Sequence, residues 1–239
     1  MELVADVGNT AVKLAVYQGN HQVSSISFPH GEDAEMIEWV SSHNPDRVLV
    51  ASVAELPDQL IGYLNTSSRL LFLDQYTPLP VFNAYSTPET LGKDRLANAC
   101  GASALFPGEH VLVFDAGTCL KADLVTADRT YLGGSIAPGL TMRFKALHHY
   151  CPALPLISVS GESPLTGVST ETSIRSGVLN GMVAEITGLL NSYREAYPGV
   201  RAVLTGGDTP VLVNRLQKDI FAVPGLTLHG LHAILSNIP

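Results

Sequence analysis

The chain has 239 residues, of which 46% are hydrophobic and 15% are charged, and this composition indicates a folded globular protein rather than a disordered chain. The formal net charge of −8 disfavours nucleic acid and anionic membranes as binding partners. Three widely spaced cysteines match neither a disulfide framework nor a metal-ligand pattern, and no signal peptide or membrane-spanning stretch stands out, so we expect a cytoplasmic protein.

The first half of the chain predicts an antiparallel meander followed by alternating helices and strands. Strands are expected at residues 3–7, 11–17, 23–28, 48–53 and 70–73, and helices at 34–42, 56–64 and 93–105. Residues 74–92 are rich in Pro, Thr, Tyr and Asn, and we expect them to form an ordered loop on the surface or over a pocket.

The second half repeats the opening pattern of the first. Strands are expected at residues 111–114, 120–125 and 202–204, and helices at 140–149, 171–193 and 209–217. In both halves a buried strand ends in Asp-x-Gly and a second strand follows it. We therefore expect a duplication of an α/β lobe, with lobes at residues 1–110 and 111–239 and a ligand cleft between them.

The two Asp-x-Gly turns have the chemistry of phosphate loops. ATP presents oxyanions and a metal ion, which proteins hold with backbone N–H groups, hydroxyls and carboxylates. In the first turn, Gly8 allows a close backbone approach to phosphate, Asp6 can orient a hydrated metal ion, and Lys13 can neutralise phosphate charge. Taken alone, this turn is equally well explained as an ordinary hairpin turn.

The second copy, Asp115-Ala116-Gly117-Thr118, shifts the balance toward phosphate binding. Together with a third glycine turn, Thr205-Gly206-Gly207-Asp208, it resembles the layout of actin-like kinases. Neither copy is a Walker A loop, and no Gly-x-Gly-x-x-Gly motif follows the first strand, so a P-loop or a Rossmann dinucleotide site is not supported.

A further polar group lies where the loop 74–92 meets the next helix, at Gly92-Lys93-Asp94-Arg95. Asp94 could accept the proton of an attacking hydroxyl, and Arg95 could bind a carboxylate with its planar guanidinium. Taken alone, Asp94 is better explained as a charge that favours the helix dipole, and Arg95 as a member of a surface ion pair.

Six motifs in order make the chain resemble the type III pantothenate kinases over nearly its whole length. They are Asp6–Thr10; Asn83, Tyr85 and Pro88 ahead of Gly92–Arg95; Asp115–Thr118; Gly133–Gly139; Gly167–Thr170 ahead of Gly177; and Thr205–Gly207. Each motif is modest alone, but the ordered set is specific.

The resemblance implies both a fold and an activity. The fold is α/β, with duplicated actin-like, ribonuclease H-like domains whose mixed five-stranded sheets are flanked by helices and enclose an interdomain cleft. The activity is transfer of the ATP γ-phosphoryl to the terminal hydroxyl of pantothenate, the first committed step toward coenzyme A. The family also implies a homodimer with sites near the subunit interface.

The resemblance also assigns roles to individual residues. Asp94 becomes the general base. Pantothenate contacts are implied for Tyr85, Gly92, Lys93, Asp94, Arg95 and Thr170, and ATP contacts for Asp6, Val7, Gly8, Asn9, Thr10, Ala11, Val12, Lys13 and Thr118. Asp115 is implied to hold a monovalent cation, potassium or ammonium, while Mg²⁺ accompanies the nucleotide, with Asp6 reaching it through water.

The chain departs from the family pattern at two places. The second loop continues as Cys119-Leu120-Lys121-Ala122-Asp123, where Ala and further Thr residues are usual, so Lys121 could alter the charge near the site. Ser169 stands where an Asn is usual ahead of Thr170. Two alternatives stay open: another small-molecule kinase of the same fold, and a non-catalytic nucleotide-binding accessory or regulatory protein. Intact Asp94 and Asp115 favour catalysis.

Overall fold

The computed structural model describes residues 1–8, 10–52, 56 and 58–239. Its internal contacts divide the chain into two compact units. Unit 1 comprises Met1–Pro107, Arg129–Tyr131 and Leu226–Pro239, and unit 2 comprises Gly108–Asp128 and Leu132–Gly225. Residues 226–239, which were expected in the second lobe, make their contacts within unit 1. The lobe boundary near residue 110 stays a prediction.

Unit 1 is built on a five-stranded mixed sheet in the order β3-β2-β1-β4-β5. The strands are β1 (Glu2–Val7), β2 (Ala11–Gln18), β3 (His21–Pro29), β4 (Arg47–Ser52) and β5 (Arg69–Phe72). The central strand β1 pairs antiparallel with β2 and parallel with β4. Both β1 and β4 are apolar runs with consecutive buried residues, as expected of strands covered on both faces, whereas the edge strand β3 is largely exposed.

Helices cover this sheet and complete the core of unit 1. They are α1 (Asp33–His43), α2 (Asp58–Ser67), α3 (Lys93–Leu105) and the C-terminal α7 (Leu226–Asn237). Fully buried Met36 and Leu60 pack with the sheet residues Leu3 and Val50. Unit 1 also contains a two-residue strand, β6 (Phe82–Asn83), which pairs in parallel with Thr130 and Tyr131, and a 3₁₀ turn at Pro88–Thr90.

Polar contacts hold α7 against the sheet as well. The His232 ring stacks on the Tyr17 ring with centroids 3.9 Å apart, and its Nε2 lies 3.1 Å from Glu2 Oε2. Burial raises the pKa of Tyr17 to about 12, and burial also lowers the pKa of His232 despite the neighbouring Glu2 carboxylate. The C-terminal helix is therefore an integral part of unit 1.

The contact between α3 and α7 depends on two glycines. A Cβ atom added at Gly230 would lie 1.7 Å from the carbonyl oxygen of Ala97, and one added at Gly101 would lie 2.7 Å from that of Leu226. Glycine is unfavourable in the interior of an isolated helix, so these positions reflect the close approach of two backbones rather than helix propensity.

We expect Gly230→Ala to destabilise the protein by about 1–3 kcal/mol, because the added methyl group overlaps the α3 backbone. Chemical denaturation measures the change. Gly62→Ala is the matched control: Gly62 lies inside α2 with open space around its Cβ position, so alanine there should stabilise by up to about 1 kcal/mol. Equal stabilities for the two variants would contradict the close packing of α3 and α7.

Unit 2 repeats the strand order of unit 1. Its strands are β7 (Val111–Ala116), β8 (Cys119–Val125), β9 (Thr130–Pro138), β10 (Arg201–Thr205) and β11 (Ile220–Ala222), and its helices are α4 (Leu140–Tyr150), α5 (Thr170–Ala196) and α6 (Thr209–Leu212). The sheet runs β11-β10-β7-β8-β9, and the first two residues of β9, Thr130 and Tyr131, belong to unit 1, where they pair with β6. The first strand of each half is thus central, pairing antiparallel with the second and parallel with the fourth.

The core of unit 2 lies between the sheet and the long helix α5. Every residue of β7 is buried, and Leu179, Met182 and Ile186 of α5 are fully buried in the same cluster. This arrangement confirms the predicted duplication of an α/β half with mixed sheets flanked by helices.

The structure differs from the sequence-based expectation at several elements. The predicted helix 209–217 is wrong in length, since α6 ends at Leu212, where β-branched valines and Asn214 disfavour a longer helix. Strands β6, β9 and β11 and helix α7 had not been predicted. Residue 53 of an expected strand and residue 57 of an expected helix lie outside the described residues. None of the helices in the described ranges combines the length and apolar character needed to cross a membrane.

Candidate active site

The first predicted phosphate loop is the hairpin between β1 and β2. Asp6 lies half-buried near the end of β1, directly opposite the exposed Lys13 of β2. Gly8 closes the hairpin: its N–H donates to the Ala11 carbonyl at 3.1 Å, and its own carbonyl accepts from His30 Nε2 at 2.9 Å. Because a carbonyl only accepts, His30 must carry its proton on Nε2.

The predicted residues of this hairpin differ in what they can offer a nucleotide. The side chains of Val7 and Val12 are buried in the core of unit 1, so only their backbone groups could reach a ligand. Thr10 and Lys13 are exposed. Asn9 lies outside the described residues.

Asp94 lies in the first turn of α3, with Gly92 as the N-cap residue. Its Oδ1 accepts a hydrogen bond from the Arg95 N–H at 2.8 Å, and the positive end of the helix dipole further favours the ionised carboxylate. A Cβ atom at Gly92 would lie 2.7 Å from this oxygen, so the absence of a side chain there makes room for the carboxylate. Asp94 is half-buried, an arrangement that suits a proton acceptor held in a fixed position.

Arg95 and Tyr85 form a second polar group beside Asp94. Arg95 is only 4% exposed, its guanidinium carbon lies 5.4 Å from the centre of the Tyr85 ring, and its Nη1 makes a long hydrogen bond of 3.5 Å to the Tyr85 hydroxyl. The Tyr85 ring in turn stacks on that of Tyr131. The structure therefore brings Tyr85, Asp94 and Arg95 together within unit 1.

The second hairpin, between β7 and β8, carries Asp115 and Lys121. The two residues are direct cross-strand partners, and Lys121 Nζ lies 2.7 Å from Asp115 Oδ2. Both side chains are largely buried: that of Lys121 is 13% exposed and that of Asp115 is 11% exposed. The turn itself is Gly117-Thr118, where the Gly117 N–H donates to the Cys119 carbonyl and the Thr118 carbonyl accepts from the Gly139 N–H.

Glycines from two other segments pack against this turn. A Cβ atom at Gly139 would lie 2.1 Å from the Gly117 carbonyl oxygen, and one at Gly206 would lie 2.2 Å from the Ala116 carbonyl oxygen. We call Gly117, Gly139 and Gly206 the glycine cradle. Close approach of bare backbone is what a protein needs in order to surround a phosphate with N–H groups.

Asp208 follows the cradle in the third glycine turn. Its N–H donates to the Ala116 carbonyl at 2.9 Å. Burial raises the pKa of the Asp208 carboxyl, while a hydrogen bond from the backbone of Leu140, the first residue of α4, acts to lower it. The third turn is thereby tied both to β7 and to the start of α4.

Thr170 is one of the residues that line a pocket of about 850 Å³ within unit 2. The polar lining comes from the start of α5, including Ser169, Thr170 and Ser173, and the apolar lining includes Leu147 and Leu154. Ser169 is the N-cap of α5: its Oγ accepts from the Thr172 N–H, and the Thr172 hydroxyl accepts from the Ser169 N–H. Serine and asparagine are both preferred N-cap residues, so Ser169 keeps the cap where the family resemblance expects Asn.

The predicted site residues thus form two sets. The hairpin Asp6–Lys13 and the group of Tyr85, Asp94 and Arg95 lie in unit 1, whereas Asp115, Thr118 and Thr170 lie in unit 2. Sequence reasoning missed the ion pair of Lys121 and the packing roles of Gly139 and Gly206. The sequence did place Gly139 and Gly206 in two of the six motifs. A motif does not show which residues a glycine packs against.

Comparison with solved structures establishes the fold class. A conserved Baf family protein from Campylobacter jejuni superposes with a TM-score of 0.61 at 19% identity, covering 98% of this chain and 97% of that one. A ROK family glucokinase from Streptomyces griseus, solved with glucose and AMPPNP, superposes with a TM-score of 0.53 at 10% identity over 99% and 98% of the two chains. The fold is that of the actin-like ATPases and sugar kinases.

Sequence comparison identifies the family within this class. The model of the type III pantothenate kinases matches residues 2–192. A type III pantothenate kinase of Christiangramia forsetii is 42% identical over 237 residues, covering 98% of each chain. The chain belongs to the type III pantothenate kinase family, whose members are enzymes that use ATP.

Proposed function

We propose that this protein transfers the γ-phosphoryl group of ATP to the terminal hydroxyl of pantothenate, with Asp94 as the general base. The observation that carries the proposal is the position of the Asp94 carboxylate, held at the start of α3 by the Arg95 N–H and given room by Gly92. It lies beside the group formed by Arg95 and Tyr85, which has the chemistry to bind a small carboxylate.

The proton and the phosphoryl group move in opposite directions in this reaction. Asp94 accepts the hydroxyl proton as the pantothenate oxygen forms its bond to the γ-phosphorus. The bond between the γ-phosphorus and the bridging oxygen breaks, and ADP leaves with that electron pair. Asp94 lies in the first turn of α3, where the positive end of the helix dipole favours negative charge.

Phosphate binding is assigned to the two hairpins. In unit 1, the backbone of Val7, Gly8, Ala11 and Val12, the hydroxyl of Thr10 and the ammonium of Lys13 would contact the nucleotide, and Asn9 is proposed from the sequence alone. In unit 2, Thr118 in the turn between β7 and β8 would do so. These assignments rest on the two Asp-x-Gly turns, where Gly8 and Gly117 leave the backbone without a covering side chain.

Mg²⁺ would accompany ATP, and Asp6 is the residue that would orient its hydration shell. Among the described residues no cluster of three or more His, Cys, Asp or Glu side chains could hold a metal ion. This fits Mg²⁺, which is commonly held by substrate phosphates, water and one or two carboxylates rather than by a protein cage. When bound, the ion would neutralise charge on the transferring phosphoryl group.

Acceptor binding is assigned to Tyr85, Gly92, Lys93, Arg95 and Thr170. Arg95 and Lys93 offer positive charge for the pantothenate carboxylate, and Tyr85 and Thr170 offer hydroxyls for its polar groups. The pocket beside Thr170 combines hydroxyls with apolar side chains, which suits a ligand with an amide and a branched carbon chain.

We also infer a homodimer. The support is a group of well-exposed apolar side chains in unit 2, among them Leu156 at 54%, Leu165 at 89% and Val168 at 91% exposure. Association with a second copy of the chain would cover such exposed side chains. Sedimentation velocity of the purified protein tests this. A monomer at micromolar concentration would contradict the homodimer.

The proposed activity is tested by ADP release from the purified protein with ATP, Mg²⁺ and a candidate acceptor. We expect turnover with pantothenate and none above the background ATPase rate with glucose, because the Arg95 and Tyr85 group suits a carboxylate. Equal rates with the two acceptors would favour a sugar kinase, and nucleotide binding with no turnover would favour an accessory protein.

A further inference from the structure

The positive charge at Asp115 is supplied by the protein itself. The family resemblance predicts a potassium or ammonium ion at this carboxylate, yet the Lys121 ammonium lies on it, 2.7 Å from Oδ2. We propose that Lys121 takes the place of the monovalent cation, so that this kinase works without one. The inference rests on the proposed phosphoryl transfer. It identifies Lys121 as the source of the positive charge beside the second phosphate loop.

The position of Lys121 is fixed by the hairpin. Asp115 and Lys121 are direct cross-strand partners, and such residues have Cβ atoms about 4.5–5.5 Å apart. Leu120 and Ala122 on either side of Lys121 are fully buried, so a shift of register by one residue would move both out of the core. The lysine therefore cannot leave Asp115 through a slip of β8.

An ammonium group is also a chemical substitute for the predicted ion. It carries the same single charge, and a charge-assisted hydrogen bond to a carboxylate has a length of about 2.7–2.9 Å, which the observed pair matches. Both side chains are largely buried, so water screens the pair less than it would at the surface.

A free cation fits poorly beside this pair. It would share the Asp115 carboxylate with an ammonium group of like charge, and like charges at such short range repel strongly away from bulk water. The residues present do not suit the potassium or ammonium ion that the resemblance implies.

The first hairpin supplies an internal comparison. Asp6 and Lys13 occupy the same cross-strand relation there, but Lys13 is exposed, whereas Lys121 is enclosed. A tethered and enclosed ammonium is present at every turnover, whatever the salt composition. It would offset the repulsion between the Asp115 carboxylate and the phosphates of ATP, which is the task expected of the ion.

Cation dependence of the rate tests this inference. The wild-type protein should release ADP at rates within about twofold of each other in choline chloride and in potassium chloride of equal ionic strength. Lys121→Ala and the longer, uncharged Lys121→Met should lose at least about tenfold in choline. In Lys121→Ala, where the removed side chain leaves space, potassium or ammonium should restore much of the rate. Lys218→Ala, which removes an exposed lysine of unit 2, should behave as wild type in both salts.

A second readout needs no catalysis. Potassium added against a choline background should raise the melting temperature of Lys121→Ala by roughly 2–4 °C, because an ion that binds only the folded state stabilises it. The wild-type protein should show no such rise. Potassium that stabilises the wild type and the variant equally would overturn the proposal, as would a wild-type rate that rises tenfold or more with potassium.

These outcomes separate the two levels of inference. Absence of any pantothenate-dependent ADP release would contradict the proposed function. The melting of Lys121→Ala with and without potassium would then still test whether Lys121 replaces the cation. A second outcome is that the wild type turns over while potassium neither rescues nor stabilises a folded Lys121→Ala. That result would contradict the proposed role of Lys121 and would leave the proposed function standing. Circular dichroism of both Lys121 variants establishes that they are folded.

Discussion

Replacing Asp94 with asparagine is expected to lower kcat about 10²–10⁴-fold, the usual contribution of a positioned general base. Asparagine keeps the shape of the side chain, and its amide oxygen can still accept the Arg95 N–H, so α3 should begin as before. Only the ability to take a proton is lost. Affinity for ATP should remain within about threefold, because the phosphate loops are not altered.

The measurement is steady-state ADP release at saturating ATP and pantothenate, paired with calorimetric titration of an ATP analogue. Glu89→Gln is the matched control: it neutralises an exposed carboxylate in the 3₁₀ turn ahead of α3 and should leave kcat unchanged. An Asp94→Asn protein that binds nucleotide and retains half of the wild-type kcat would show that proton removal lies elsewhere.

The Gly206→Ala variant is expected to lose roughly 3 kcal/mol or more of folding stability. Gly206 has a φ of +95°, where a side chain is strained, and its added Cβ atom would lie 2.2 Å from the Ala116 carbonyl oxygen. The neighbouring residues cannot move aside easily, because β7 is buried along its whole length and Asp208 donates to that same carbonyl.

Gly207→Ala is the control for this prediction, since its Cβ position has open space and the residue has no positive φ. Thermal melting of the two variants without ligand should show a loss of several degrees for Gly206→Ala and little change for Gly207→Ala. If both melt alike, the glycine cradle is not the close-packed element that these distances describe.

Much of the fold could be predicted from local patterns. Apolar runs such as Val48–Ala51 and Val111–Phe114 predicted buried strands, and the repeated Asp-x-Gly turn predicted the duplication. The boundaries of β1 and α3 were found to within one residue, because strong breakers flank them. These features depend on residues close together in the chain.

What could not be predicted depends on contacts distant in sequence. Helix α7 carries Gly230 in its interior, which local propensity disfavours and which only packing against α3 explains. Strand β6 consists of two residues that pair with Thr130 and Tyr131, far along the chain, so no periodic pattern marks it. The membership of α7 in unit 1 has the same origin.

The candidate site divides in the same way. The sequence identified Tyr85, Asp94 and Arg95, which the structure brings together, because they lie within a single short segment. It noted Lys121 as a departure from the family without assigning a partner, since cross-strand register fixes the ion pair with Asp115. It also included Val7 and Val12 among the nucleotide contacts, whereas their side chains belong to the core.

Phosphorus-31 NMR of a reaction mixture containing the protein, ATP, Mg²⁺ and pantothenate tests the proposed activity most directly, since it observes the transferred group itself. We expect a new phosphomonoester resonance, coupled to the protons of the terminal CH₂ of pantothenate, that grows in equal amount with ADP. ATP consumption that yields only inorganic phosphate, or no consumption beyond that of a reaction without pantothenate, would contradict phosphoryl transfer to pantothenate by this protein.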